Sequence, residues 1–261
     1  MVVSVDISGI LEERLRKLVE LGIYASVSEA VRDAVRRLME EIDLMQIGIN
    51  IYINNNITLE YLCDFTGEPC NKVIGALLEN GVLPLLGRPR VSPDVRLQGP
   101  YLIIAPMALY VIYNSYFYRL FSKLYKQGYI FEIAVEVAER SRLWEAVAAY
   151  RGILKSTLDI GVRQPCAKSK VPKNIESSLG RGERSTLQVA GTCEVPVVVA
   201  DTRYERFLLS KNIITINLID ILYWAKNSGI LTGEEALDIA LSARTVPLVL
   251  PPGYKKDLGG E

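Results

Sequence analysis

Apolar and polar residues alternate at the start of the chain, Val3, Val5 and Ile7 against Val2, Ser4 and Asp6. This is the two-residue period of a short half-buried strand. The period then lengthens, with Leu11, Leu15, Leu18 and Val19 at helical spacing, Ser8 placed to cap them and Gly22 to stop them. Ser28 with Glu29 opens a second helix that carries Ala30, Val31, Ala34, Val35 and Leu38. One strand and two amphipathic helices cannot close a core, and a lone strand lacks a ladder partner, so this stretch predicts a homodimer.

Farther on, Ile47, Ile49, Ile51 and Ile53 alternate like a strand, yet Leu44, Ile47, Ile51 and Met45, Ile49, Ile53 also fit two helical stripes. Periodicity leaves both open. Thr58 is placed to cap a helix bearing Leu59, Leu62 and Phe65; Gly67-Glu68-Pro69 makes a turn, and Val73, Ile74, Leu77 and Leu78 mark a second helix that ends before Gly81. From Pro84 to Pro100, prolines interspersed with Arg88, Arg90 and Arg96 read as a stiff basic linker.

Beyond it, strand and helix patterns alternate. Leu102-Ile103-Ile104, Tyr129 to Ile133, Val195 to Ala200 and Ile213 to Ile216 read as strands, and Ala108 to Lys126, Val135 to Tyr150, Tyr204 to Ser210 and Leu218 to Asn227 as helices. Such alternation predicts a parallel, helix-covered sheet with its site at the carboxyl ends of the strands. Arg163, Lys168, Lys170, Lys173, Arg181 and Arg184 crowd one stretch, which fits a solvated loop as well as an RNA-binding surface. The tail after Pro251 reads as flexible.

Composition narrows the chemistry. The chain contains no histidine, which excludes Ser-His and Cys-His nucleophiles, His-ligated zinc and imidazole acid-base catalysis. Lys+Arg and Asp+Glu balance at 30 each, so any nucleic-acid surface must be a local patch. The apolar run from Tyr101 to Tyr113 is too short to cross a bilayer. With no secretory signal at Met1 to Asp6, the expectation is a cytoplasmic protein without membrane contact. There Cys63, Cys70, Cys166 and Cys193 are expected to be reduced and buried, an intracellular disulfide being the alternative.

The run from Val3 to Leu38, with Gly22, Tyr24, the Ser26-x-Ser28-Glu29-Ala30 element and Arg32, resembles the ribbon-helix-helix family of DNA-binding proteins. The resemblance implies that paired strands present Val2, Ser4 and Asp6 to the major groove, and that Ser26 and Ser28 open a helix facing a phosphate. Asp6 departs from the cationic and amide residues usual at such positions. The stretch from Ile57-Thr58-Leu59 through Gly67 to Leu77-Leu78-Glu79-Asn80-Gly81 looks like the helix-turn-helix antitoxin-like proteins that prokaryotes encode beside PIN-domain ribonucleases, which favours a helix over 44–53. Gly180-Arg181-Gly182-Glu183, Val197-Val198-Val199-Ala200-Asp201, Arg206 and Ala225-Lys226 before Gly229-Ile230-Leu231 are similar to the PIN-like nuclease family. That likeness implies a carboxylate cluster holding Mg²⁺ or Mn²⁺, with Asp201, Glu183 and Glu139 as residual acids and Asp201 and Glu183 as metal ligands if the nuclease reading holds. The leading strand-end acid is replaced by Ala105, the helix acid by Arg140, and the neighbour of Asp201 is Thr202.

The expected organisation is therefore multidomain α and α/β. It comprises a ribbon-helix-helix unit at 1–43, a helix-turn-helix-like unit at 44–86, a linker at 87–100, a PIN-like domain with a parallel sheet at 101–247 and a tail at 248–261. The expected function is DNA-binding transcription regulation of toxin–antitoxin type, with a PIN-like domain that is not catalytic and needs no cofactor. The alternatives are a metal-dependent endoribonuclease fused to its own antitoxin, with RNA as substrate, and an immunity-type protein that captures a separate PIN toxin.

Overall fold

The computed structural model describes residues 6–92, 97, 99–140, 158–167, 178–243 and 246–259, with the backbone alone at 39–40 and 139–140. These residues form two compact units that meet between Ile47 and Gly48.

The first unit is a helical hairpin. α1 (Ile10–Glu20) is preceded by Gly9 rather than by a capping Ser8 side chain, and ends at Gly22, whose N–H reaches Val19 O at 2.9 Å. α2 (Val27–Glu41) is capped by Ser26, two residues before the expected Ser28. Ser26 Oγ accepts the Glu29 amide at 3.2 Å, and Glu29 Oε2 accepts the Ala25 amide at 2.7 Å, a reciprocal cap that satisfies otherwise orphan donors. Among the described residues of α1 and α2 only Leu15 and Ala30 are buried, while Ile10, Leu11, Leu21, Ile23, Val35 and Leu38 are exposed. The expected strand falls mostly on residues 1–5, outside the described residues.

α3 (Leu44–Asn54) is a helix, as the antitoxin-like resemblance implied, and it runs across the division between the units. The second unit continues with α4 (Leu59–Thr66), capped by Thr58 Oγ1 on the Tyr61 amide, and α5 (Cys70–Glu79). Gly67 closes α4 in the left-handed conformation. After β1 (Leu86–Gly87) come β2 (Tyr101–Ile104), α6 (Pro106–Asn114), α7 (Phe117–Lys126), β3 (Ile130–Ala134), α8 (Val135–Arg140) and β4 (Ile160–Arg163). Then follow α9 (Arg181–Cys193), β5 (Val197–Val199), α10 (Thr202–Leu209), β6 (Thr215–Asn217), α11 (Leu218–Asn227), α12 (Gly233–Ser242), β7 (Leu248–Val249) and α13 (Tyr254–Gly259).

The expected parallel sheet is present, five strands in the order β4-β3-β2-β5-β6. β2 and β5 are its buried centre, with Leu102, Ile103, Ile104 and Val197 to Val199 all fully enclosed, as a sheet covered on both faces requires. Strand order reverses between β2 and β5, so the crevice at their carboxyl ends, Ala105 and Asp201, is the topological switch point where such sheets bind ligands.

Four expectations need correction. The single helix read over Ala108 to Lys126 is two: Ser115 Oγ turns back onto Val111 O at 2.6 Å, the Tyr116 amide leaves to Ser242 Oγ at 2.8 Å, and the chain restarts as α7. The tail is ordered through its described residues, up to 259, because α13 buries Leu258 completely against α12. The cysteines are disulfides, Cys63–Cys70 and Cys166–Cys193, since the fold brings their Cα atoms to 5.4 and 5.3 Å. The basic linker is not all solvated. Gly87 donates to Ala200 O at 2.8 Å, and Arg88 lies between Glu205 and Asp220, 2.6 Å from the latter. Of the segments 44–86 and 101–247, read as separate domains from sequence, residues 48–86 and 101–247 lie together in the second unit.

Arg88 is the cation for two carboxylates whose protonation burial favours, so removing it leaves both charges uncompensated. Arg88→Met is expected to lose about 3 kcal/mol of stability in urea titrations near neutral pH. The deficit shrinks in acid, where both acids take up protons. A variant as stable as wild type at neutral pH would contradict this role.

Candidate functional site

The switch-point crevice is filled by the chain's own α4. Thr58 and Leu59 enter it, and Glu60 is 2% exposed. Glu60 Oε1 accepts the Gly182 amide at 3.0 Å and Oε2 the Glu183 amide at 2.7 Å, while Asp64, one turn later, accepts the Arg181 amide at 2.8 Å. The Gly180 amide goes to Glu183 Oε2 at 3.0 Å. Each amide from 180 to 183, the orphan donors at the start of α9, thus ends on a carboxylate, as the positive end of a helix favours.

Glycine at 180 and 182 is what lets Glu60 come this close. A Cβ on Gly180 would lie 2.6 Å from Glu60 Cγ and Oε2, and one on Gly182 would lie 2.4 Å from Oε1. Thr58 Oγ1 donates to Glu183 Oε2, and the Leu59 amide donates to Asp201 Oδ2 at 2.9 Å. Asp201 also caps α10 through the Arg203 and Tyr204 amides, and Tyr204 OH donates to Glu183 O at 2.7 Å. Arg203 in turn holds the segment before α4, donating to Tyr52 O and Ile57 O at 2.8 Å each and stacking on the Tyr52 ring at 4.1 Å.

These acids are costly to ionise where they sit. Burial, then the charge of Asp64, pushes Glu60 up to about 8 against the pull of the Glu183 and Gly182 amides and Arg184. Burial, with Glu60 and Asp201 nearby, lifts Glu183 well above the usual carboxylate range. Burial raises Asp201 too, partly offset by its three backbone hydrogen bonds.

Of the residues singled out from sequence, the fold brings Asp201 and Glu183 together in this network. Ala105 sits beside them, at the N-cap of α6, in an apolar cluster with Leu179, Val197, Val199 and Tyr204. Glu139 lies on α8, which packs along α9, but its side chain, like that of Arg140, is outside the described residues. Val2, Ser4, Lys168, Lys170 and Lys173 are outside them as well; Asp6 and Ser28 are exposed in the first unit, where Ser26 caps α2.

The residues do not fit a hard cation. Asp201 has committed both oxygens and Glu183 one, all to N–H and O–H donors, which leaves, of these two residues, Glu183 Oε1 without a hydrogen-bond partner. Among the described residues no group of three acids, cysteines or histidines has metal-binding geometry. Sequence reasoning missed Glu60 and Asp64. The signal available was the Gly180-x-Gly182 pair, which marks close approach of another group, together with two acids one turn apart after the Thr58 cap.

No family model, no curated protein and no solved structure matches this chain. Among the described residues no helix is long and apolar enough to cross a membrane.

Between the ordinary carboxylate range and about pH 8, the folded chain keeps on Glu60 a proton that the unfolded chain has released. Stability is therefore expected to fall as pH rises through that window and to level off above it. Glu60→Gln, which keeps an acceptor and removes the charge, should flatten the slope in thermal melts. Stability that rises from pH 5 to pH 8 would contradict this assignment.

Proposed function

We propose that the chain is a homodimeric DNA-binding regulator of toxin–antitoxin type, with a ribbon-helix-helix unit in front and a PIN-like α/β domain that does not cleave RNA. The observation that carries this reading is the crevice: an alanine packed in apolar surroundings where the leading acid belongs, and carboxylate oxygens turned inward onto amides. A metal-activated water needs several converging oxygen ligands, which Asp201 and Glu183 do not supply between them.

The front unit supports the dimer. Its helices leave Leu11, Val35 and Leu38 uncovered, and the alternating residues Val3, Val5 and Ile7 supply a strand that a second copy would pair. In such a dimer Val2, Ser4 and Asp6 face the groove, and the start of α2 at Ser26 and Ser28 faces a phosphate. Lys72, the cation of the second helix of the turn motif, is paired with Glu68 at 2.9 Å, so the reading assigns DNA contact to the front unit rather than to α5.

One observation favours the endoribonuclease alternative, namely that an antitoxin-like helix of the same chain fills the crevice, as an inhibitor would. The two readings differ in a direct assay. Purified protein is expected to shift duplex DNA with an affinity that falls with salt, and Asp6→Asn, which removes a charge opposed to phosphate, should tighten binding severalfold. Val5→Lys should give monomers in sedimentation and abolish the shift. Metal-dependent cleavage of single-stranded RNA that Asp201→Asn removes would replace this reading with the nuclease.

A further inference from the structure

The helix that fills the crevice is tied down by a covalent bond as well as by hydrogen bonds. Cys63 lies one turn beyond Glu60 on α4 and is bonded to Cys70, the first residue of α5, across the turn at Gly67-Glu68-Pro69. Both sulfur-bearing residues are buried, at 2% and 3% exposure. The two helices it joins are 8 and 10 residues long, below the length at which helices persist without tertiary support.

What the bond holds in place is a costly enclosure of acids. Glu60, Glu183 and Asp201 are nearly fully enclosed, and Asp64 and the Tyr204 hydroxyl lie close by. The cations near them are Arg184 and Arg203. Enclosing three acids is costly whether they are ionised or kept protonated. α4, none of whose residues is exposed, is held over the crevice by packing, by these hydrogen bonds and by the disulfide, while the sheet is a separate hydrogen-bonded unit.

We propose that the Cys63–Cys70 disulfide is a thiol-responsive latch, whose reduction by a dithiol releases α4 from the first turn of α9 and opens the switch-point crevice. The proposal rests on the sealed-crevice reading above and adds its regulation. One thiolate of the dithiol attacks Cys63 or Cys70, breaking the sulfur–sulfur bond and forming a mixed disulfide; its second thiol then displaces the protein sulfur. The dithiol leaves as a disulfide, and the chain gains two electrons and two protons as two cysteine thiols. Because the sulfurs are buried, exchange proceeds through brief openings of the hairpin, and a cleaved bond no longer draws α4 back.

Hydrogen exchange on the full chain tests this, comparing protein purified without reductant with the same protein after dithiothreitol. The Cys166→Ser/Cys193→Ser variant, in which Cys63–Cys70 is the one remaining pair, is measured in parallel. The amides of Arg181, Gly182 and Glu183 are expected to exchange at least about tenfold faster after reduction, in both proteins. The Ile103 amide in β2, bonded to Pro196 O, should not change. Unchanged exchange at 181 to 183 after reduction overturns the latch and leaves the sealed crevice standing, as does finding Cys63 and Cys70 as free thiols in protein whose amides are protected. Fast exchange there before reduction overturns the sealed-crevice reading itself.

Discussion

A helix start leaves amide donors without partners, and a buried carboxylate needs donors to stay in a protein interior. The second unit solves both needs with one contact, Glu60 on the amides of Gly182 and Glu183. The surrounding features follow from it. Positions 180 and 182 have no side chain because the carboxylate occupies that space. Thr58 divides its hydroxyl between capping α4 and donating to Glu183, so the cap and the acid network share an atom. Arg203 fastens the approach to α4 by its backbone carbonyls, from the residue next but one to Asp201.

The rest of the carboxyl edge is closed on the same plan. The chain leaving α5 passes over β5, where Thr202 donates to Leu85 O and Gly87 to Ala200 O, and it lodges Arg88 between Glu205 and Asp220 before reaching β2. An open α/β sheet ordinarily offers this edge to ligands. Here segments from before β2 occupy it. Clefts at the amino ends of the strands, one lined by Gly99, Gln127 and Tyr129 and another by Glu194, Lys211 and Ile213, lie away from the acids.

What could be read from sequence was local. Thr58 as a cap, Gly67 as a stop and α11 over Leu218–Asn227 are decided within a turn or two of chain, and the buried apolar runs of β2 and β5 announce a covered parallel sheet. What could not be read depends on contacts distant in sequence. Glu60 looks like an ordinary polar residue on a short helix until Gly182, 122 positions later, is placed against it. β4 was hidden because an edge strand containing Gly161 and Arg163 shows no buried alternation. α13 is marked by a single buried leucine, whose partner surface is α12. The disulfides follow from the fold, which brings each pair of cysteines within bonding distance. The front unit is the opposite case: its sequence specifies two helices whose apolar faces the single chain leaves uncovered.

The closed carboxyl edge depends on the contact between Glu60 and the turn that opens α9. Gly180 has ordinary backbone angles, and the three nearest atoms that an added Cβ would meet all belong to Glu60. A double-mutant cycle in urea therefore isolates the interaction. Gly180→Ala alone is predicted to cost about 1–3 kcal/mol through overpacking, and to cost nothing once Glu60→Ala has emptied the space. An equal cost in both backgrounds would contradict the interlock.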